Sequence, residues 1–176
     1  MALTTIPAAG AKLRASVLSS LILEVRDLNV TKGGDESIRN QTLQNDDALL
    51  LAVAASSEYR GLLSAYYTGG NAAGDIQFAF TFPAGATCHF GGAGLHNSLA
   101  SGSSADVEMV ARLSATSGTT NIPYGASTSA NTAIIPILLT TGANAGTLQL
   151  QWAQQATNAT ATVLKAGSYM WLLRAS

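Results

Sequence analysis

From Val30 onward, apolar and polar side chains alternate with a period of two residues. The clearest case is the run from residue 76 to 82, where isoleucine and three phenylalanines occupy the even positions and small or polar residues the odd ones. This period is typical of a β-strand with one buried face. No helical segment alternates with these runs, so a parallel α/β fold is not expected.

The same alternation, interrupted by turn signals, predicts eight to ten short strands. We place them at residues 49–53, 58–67, 76–82, 87–90, 107–113, 133–141, 146–154, 160–164 and 169–174. Residues 91–104 and 114–129, rich in glycine and serine, are predicted loops. This arrangement favours an all-β, antiparallel β-sandwich that is jelly-roll-like. Because proline lacks an N–H, Pro136 places its strand at a sheet edge or in a bulge.

Residues 1–28 have a different pattern. Ile6 precedes a proline and is therefore expected to be extended. Apolar residues then recur at helical spacing, which predicts a short amphipathic helix. We expect 1–28 to be an N-terminal attachment arm and helix, and 29–176 to be the β-sandwich domain. The partner of the apolar stripe is this chain's own sandwich, a sister subunit or a larger assembly. The stripe consists of Leu13, Val17, Leu21 and Val25.

Charge is scarce in this chain. Only 11% of residues are charged, against roughly 25% in an ordinary soluble domain, and the net charge is −1. Nine basic residues do not provide the basic excess that nucleic-acid binding requires. A neutral surface also offers little electrostatic repulsion between copies, which favours an oligomer.

The longest apolar runs, 48–55 and 133–139, are too short to span a bilayer. We therefore expect no membrane insertion, and the first residues do not resemble a signal peptide. The single cysteine, Cys88, excludes an intramolecular disulfide framework and fits a reducing cytoplasm.

A metal site built from Cys88, His89 and His96 is not favoured. Cys88 and His89 are adjacent, so on a strand their side chains point to opposite faces, and a tetrahedral zinc site needs a fourth ligand. The glycine-rich stretch 91–94 lacks the Gly-Lys-Ser/Thr ending of a phosphate loop. We expect no metal and no cofactor.

No catalytic residue is expected either. The chain has no Gly-x-Ser-x-Gly motif, and its many serines make any Ser-His pairing uninformative. Asp46 and Asp47 are expected in a turn, where aspartates stabilise the local backbone. Asp106 and Glu108 share one strand face and could pair with arginines on neighbouring strands. The acids considered for a paired-carboxylate site are Asp46, Asp47, Asp75, Asp106 and Glu108.

Several aromatic residues could stack on sugars. On strands at alternate spacing, however, aromatic side chains more often belong to the core, which is the interpretation we favour. These residues are Tyr66, Tyr67, Trp152, Tyr169 and Trp171.

Four stretches carry a resemblance to a known group of proteins. Residues 142–154 (GANAGTLQLQWAQ) and 158–169 (NATATVLKAGSY) resemble small structural proteins of tailed phages, especially those of actinobacteria. Residues 78–87 (FAFTFPAGAT) are similar to the same group. Residues 9–18 (AGAKLRASVL) are similar to the attachment segments of phage appendage proteins.

The resemblance implies a virion component of the minor tail, head-decoration or fibre type, usually a homotrimer, without catalytic residues. It implies that residues 1–28 anchor the chain to capsid or tail proteins, through the stripe defined above, and that the sandwich is exposed. Such a protein assembles in the bacterial host cytoplasm and resides in the virion.

A second hypothesis is a host-surface binding module of a tail fibre or tail tip. Loops on a rigid sandwich are common recognition sites, so the predicted loops would contact a cell-surface carbohydrate. A wall-degrading hydrolase ranks third. The candidate loop residues are Gly91, Gly92, Gly94, His96, Asn121 and Tyr124.

Overall fold

The structure is a computed structural model that describes residues 28–70, 74–96, 109–111 and 121–175. These residues form thirteen β-strands and no helix. The strands are β1 (Asn29–Thr31), β2 (Glu36–Ile38), β3 (Gln44–Val53), β4 (Glu58–Thr68), β5 (Ile76–Thr81), β6 (Thr87–Phe90), β7 (Ala93–Leu95), β8 (Met109–Ala111), β9 (Ile122–Tyr124), β10 (Asn131–Thr140), β11 (Gly146–Gln154), β12 (Thr162–Leu164) and β13 (Tyr169–Arg174).

The described strands form two sheets in which every pairing is antiparallel. The larger sheet has the order β1-β13-β4-β10-β7-β8, with β6 also paired to β10 and β12 paired to both β2 and β4. The smaller sheet has the order β3-β11-β5-β9. This architecture confirms the prediction of an all-β, antiparallel, sandwich-like protein.

Aromatic side chains join the two sheets in the core. Tyr67 of β4 meets Phe78 of β5 edge-on, with ring centroids 6.0 Å apart. Phe80 of β5 meets Phe90 of β6 in the same geometry at 5.0 Å. All four rings are at most 1% exposed. Such edge-to-face pairs stabilise a fold by about 0.5–1.5 kcal/mol beyond their buried area.

The position expected for Pro136 is wrong. β10 is a central strand, paired with β4 on one side, in unbroken register, and with β6 and β7 on the other. The carbonyl oxygen of Ile134 points toward β6 and β7. It lies so close to Gly92, between those two strands, that a Cβ atom added to Gly92 would be 1.9 Å from it. Pro136, two residues on, directs its own main-chain groups to the same side. On that side, the hydrogen-bonded ladder is interrupted between the end of β6 and the start of β7. The N–H group that Pro136 lacks would therefore point into this gap.

Short strands occupy two stretches that were predicted as loops. β7 lies within 91–104 and pairs with β10 and β8. β9 lies within 114–129 and pairs with β5. Each has three residues, which is too short for a two-residue alternation to be recognised. The arm and helix predicted for residues 1–28 fall outside the described residues, except for Leu28, whose carbonyl accepts a hydrogen bond from the Leu172 amide (2.8 Å).

Candidate functional site

The predicted anchor stripe lies outside the residues that the structure describes, as do residues 97–104 and 114–120 of the predicted loops. The stripe residues are Leu13, Val17, Leu21 and Val25. Their role stays a prediction.

The structure brings the two predicted loop stretches together. The amide of Gly125 donates a hydrogen bond to the carbonyl of Leu95 (2.8 Å). Gly94 packs against the ring of Tyr124 so closely that a Cβ on Gly94 would lie 2.5 Å from Cδ1 of the tyrosine. Tyr124 is fully buried, and its ring lies 6.2 Å from that of Phe78. Gly94 and Tyr124 therefore contribute to packing and are not on the surface.

The other four candidate loop residues are nearer to solvent. Gly91 and Gly92 are half-buried in the gap between β6 and β7, and His96 is half-buried after β7. Asn121 is exposed, and its amide donates to Oε1 of Gln77. A ligand approaching this edge would meet His96 and Asn121 before the buried pair.

Cys88 and His89 face opposite sides of β6, as their adjacency predicts. The cysteine is buried and the histidine exposed. Burial raises the pKa of the Cys88 thiol to about 12. The thiol is therefore protonated at neutral pH and faces the core, whereas a ligand set would need both side chains on one side.

A buried ion-pair cluster links the two sheets. The ammonium of Lys32, which follows β1, lies 2.7 Å from Oδ2 of Asp46 in β3 and 2.7 Å from Oε2 of Glu36 in β2. Lys32 is 4% exposed and Asp46 is 0% exposed. The other carboxylate oxygen of Asp46 accepts hydrogen bonds from the amides of Ala48 (3.0 Å) and Leu49 (2.7 Å). β1 and β2 of the larger sheet are thereby fastened to β3 of the smaller one.

The turn predicted for Asp46 and Asp47 is wrong, because both residues lie inside β3. The register between β3 and β11 pairs Leu50 with Gln149 but Asn45 with Gln151, so residues 46–49 oppose a single residue. This bulge leaves amides unpaired, and the Asp46 carboxylate accepts two of them. The local role expected for aspartate is therefore present, in a bulge instead of a turn.

The charge state of the cluster follows from these contacts. Burial is the largest influence on Lys32 and opposes its charge, but the hydrogen bonds to Asp46 and Glu36 outweigh it and raise its pKa above 10.5. Burial raises the pKa of Glu36 despite its contact with Lys32. Carboxylate oxygens of Glu36, Asp46 and Asp47 lie within 4.8 Å of one another, a spacing that could suit a cation. The Lys32 ammonium supplies that cation, which makes the cluster structural.

One further described acid that was considered for catalysis also has a structural partner. Asp75 is 7% exposed, and its Oδ1 accepts a hydrogen bond from the amide of Ala126 (3.0 Å). Burial raises the pKa of this carboxyl group. Asp106 and Glu108 lie outside the described residues.

The expectation that the aromatic residues belong to the core holds for only part of the set. Tyr67 and Trp152 are fully buried, whereas Tyr66 and Trp171 are each 37% exposed. Tyr169 is half-buried. These last three belong to β4 and β13, and they face away from the core.

The outward side of the larger sheet forms an apolar surface, which we call the outer apolar face. Cross-strand pairing places Trp171 of β13 beside Leu62 of β4, and Leu62 beside Pro136 of β10. A neighbouring row aligns Leu173 of β13 and Leu138 of β10 on either side of Arg60. The face consists of Leu62, Tyr66, Ile134, Pro136, Leu138, Tyr169, Trp171 and Leu173.

This face concentrates the exposed apolar surface of the described residues. Five of their six exposed large hydrophobic side chains lie on it, including Leu173 at 62% and Ile134 at 47%. The sixth, Leu50, lies on the smaller sheet, where its row continues through Gln149 and Thr81. An apolar surface concentrated on one face is typical of an interaction site.

Sequence reasoning did not identify the outer apolar face, although a signal was present. β10 (NTAIIPILLT) and β13 (YMWLLR) are apolar at both odd and even positions. In an antiparallel sandwich, strands with one solvated face alternate apolar and polar residues, so strands apolar on both sides indicate a second contact surface.

No helix of the length and apolarity that a membrane crossing requires occurs among the described residues. Neither a protein-family model nor a curated protein sequence matches this chain.

Proposed function

We propose that this chain is a non-enzymatic structural protein of a phage virion, built as a homotrimer. Residues 1–28 form an extended arm and helix that attach to capsid or tail proteins, and a jelly-roll-like sandwich is displayed as a decoration or tail appendage. The observation that carries the proposal is the outer apolar face, because a sandwich with a complete core that still exposes such a face is suited to be part of an assembly.

The polar contacts support a structural role over an enzymatic one. Within the described residues, Lys32 is bound by Asp46 and Glu36, and Asp75 accepts a main-chain amide. Catalytic groups need a perturbed side chain within reach of a substrate. Here Lys32, Glu36 and Asp75, whose pKa values are shifted, bind parts of their own fold instead.

The phage assignment is supported by the resemblance of residues 9–18, 78–87, 142–154 and 158–169, and by the scarcity of charge. A neutral surface lets many copies lie side by side without repulsion. A buried, protonated Cys88 suits assembly in the reducing cytoplasm of a bacterial host.

Mass spectrometry of gradient-purified particles tests the proposal. We expect the full-length chain to be present in the particles at a copy number divisible by three. A chain that lacks residues 1–25 is expected to be absent from the particles. The truncated chain is expected to stay folded and oligomeric when purified. A chain abundant in the lysate but missing from particles contradicts the proposal, and a truncated chain that unfolds contradicts the anchoring role.

A host-surface binding module is the second candidate, favoured by the contact between β7 and the segment after β9. The Gly125–Leu95 hydrogen bond places the two predicted loop stretches at one edge, with Asn121 exposed. Replacing residues 98–104 by a Gly-Ser linker leaves β7 intact. If the chain is a host-surface binding module, this replacement should abolish binding of the labelled protein to host cells. Unchanged binding removes the candidate.

A further inference from the structure

We infer that the outer apolar face is the surface through which copies of this chain contact one another. The inference rests on the proposed function, since it identifies the partner of the face as a second copy of the same chain. Three properties of the face support this assignment: its size, its charge and its composition.

The outer apolar face and its polar surroundings approach the size of a stable protein interface. The face itself lies on β13, β4 and β10, and outward polar residues of β1 and β6 border it on either side. Together these five neighbouring strands give a width of about 19 Å at about 4.8 Å per strand. Along β4, the outward positions from the bordering Glu58 to Tyr66 cover about 27 Å at about 3.4 Å per residue. The projected area is about 500 Å², and the accessible area of protruding side chains is larger. Stable interfaces bury about 800 Å² per partner.

The charge of the face suits an identical partner. In the outward positions of β4, β10 and β13, the charged residues are Glu58 and Arg60, whose side chains pair at 3.0 Å. Their charges cancel within each copy, so two apposed faces do not repel each other. A partner recognised by charge would meet no complementary field there.

The composition of the face is that of an interface core. Trp171 and Tyr66 supply large, partly exposed rings, and Arg60 lies between Leu173 and Leu138 in the neighbouring row. Tryptophan, tyrosine and arginine are the residues that most often dominate binding energy at protein interfaces. The row Trp171–Leu62–Pro136 lies across the central strands, where burial on association is most complete.

Light scattering on size-exclusion fractions of the full chain tests the inference with a matched pair of variants. Leu138→Glu changes an outer-face leucine that is 38% exposed, and Leu50→Glu changes a leucine of the smaller sheet that is 40% exposed. We expect the wild-type and Leu50→Glu proteins to elute at the same multiple of 18.0 kDa. Leu138→Glu is expected to elute at 18.0 kDa, with its circular dichroism unchanged.

Leu173→Glu provides a second variant if Leu138→Glu does not fold, because Leu173 is 62% exposed and tolerates charge in the isolated sandwich. Wild-type protein that is monomeric at millimolar concentration overturns the inference. Outer-face variants that keep the wild-type mass also overturn it. If deletion of residues 1–25 alone produces monomers, the N-terminal segment mediates the association and the inference fails.

The two proposals fail separately. If the chain is found in particles but its Leu138→Glu variant stays oligomeric, only the interface proposal is contradicted. If association depends on Leu138 but the chain is missing from particles, only the proposed virion function is contradicted.

Discussion

Replacing Lys32 by methionine tests whether the buried ion-pair cluster stabilises the sandwich. Methionine keeps most of the side-chain length but removes the ammonium that lies 2.7 Å from carboxylate oxygens of both Asp46 and Glu36. Asp46 is fully buried, so its charge is left without a cation. Removing one member of a buried pair costs about 3–5 kcal/mol. Because two main-chain amides still donate to Asp46, we expect a loss of about 3 kcal/mol.

Thermal unfolding followed by circular dichroism measures this loss. For a domain of about 150 residues, 1 kcal/mol shifts Tm by about 2–4 °C, so Tm of Lys32→Met should fall by about 6–12 °C. Lys165→Met is the matched control. The pair between Lys165 and Asp35 is solvent-exposed, with side chains 38% and 47% accessible, and such pairs contribute at most about 1 kcal/mol. A Lys32→Met variant that unfolds no earlier than the control refutes the structural role of the cluster.

The pH dependence gives the same experiment a second readout. The pKa of Lys32 is raised in the folded protein, so its contribution to stability is complete below the unfolded pKa and is lost as pH rises through the folded value. The difference in Tm between wild type and Lys32→Met should therefore stay constant from neutral pH to about pH 10 and narrow above it. If this difference in Tm narrows only as the pH falls, the loss of stability is to be assigned to the carboxylates of Asp46 and Glu36.

Three further predictions concern packing, a buried acid and the thiol. Gly92→Ala places a methyl group 1.9 Å from a carbonyl oxygen of β10, so urea unfolding should show a loss of at least about 2 kcal/mol; Gly33→Ala, with no atom within 4 Å, should change stability by less than about 0.5 kcal/mol. Asp75 has a raised pKa, so its folded state is favoured when protonated; Asp75→Asn should raise Tm at pH 7, and this gain should disappear below about pH 4. Cys88, buried with a pKa of about 12, should resist iodoacetamide at pH 8 in the native protein and react fully in guanidinium, whereas native labelling at the rate of a free thiol would contradict its burial.

Much of the fold follows from local alternation. The run containing Phe78 and Phe80 was predicted as a strand because its apolar residues repeat every second position, and β5 (Ile76–Thr81) follows that prediction closely. The predictions for β4, β6, β11 and β13 are also confirmed. Alternation needs about four residues to be recognised, so the three-residue strands β7 and β9 were assigned to loops.

Other features depend on tertiary contacts that a local pattern does not contain. Pro136 occupies a central strand because a gap between two partner strands falls opposite its missing donor, and that gap depends on pairing between residues about 45 positions apart. Asp46 lies in a strand because a bulge against β11 leaves amides for its carboxylate. Neither pairing is readable from neighbouring residues.

The candidate site was only partly predictable. Alternation indicates that Tyr169, Trp171 and Leu173 share a face, but it does not show whether that face is covered by the second sheet. The structure places the core on the side of Met170 and Leu172, which leaves the aromatic side outward. Aromatic residues are buried often enough that the sequence favoured the opposite assignment.

The position of Lys32 has a mechanical consequence. Tension on the chain ahead of Leu28 enters the sandwich through β1, a three-residue edge strand that alone would peel away pair by pair. The next residue, Lys32, bonds through its amide to Ser168 (2.7 Å) and through its carbonyl to Gly167 (2.9 Å), and its ammonium reaches Asp46 in the opposite sheet. A load applied at the N-terminus is thus shared between both layers as soon as β1 is strained, and the first strand is reinforced against being pulled out.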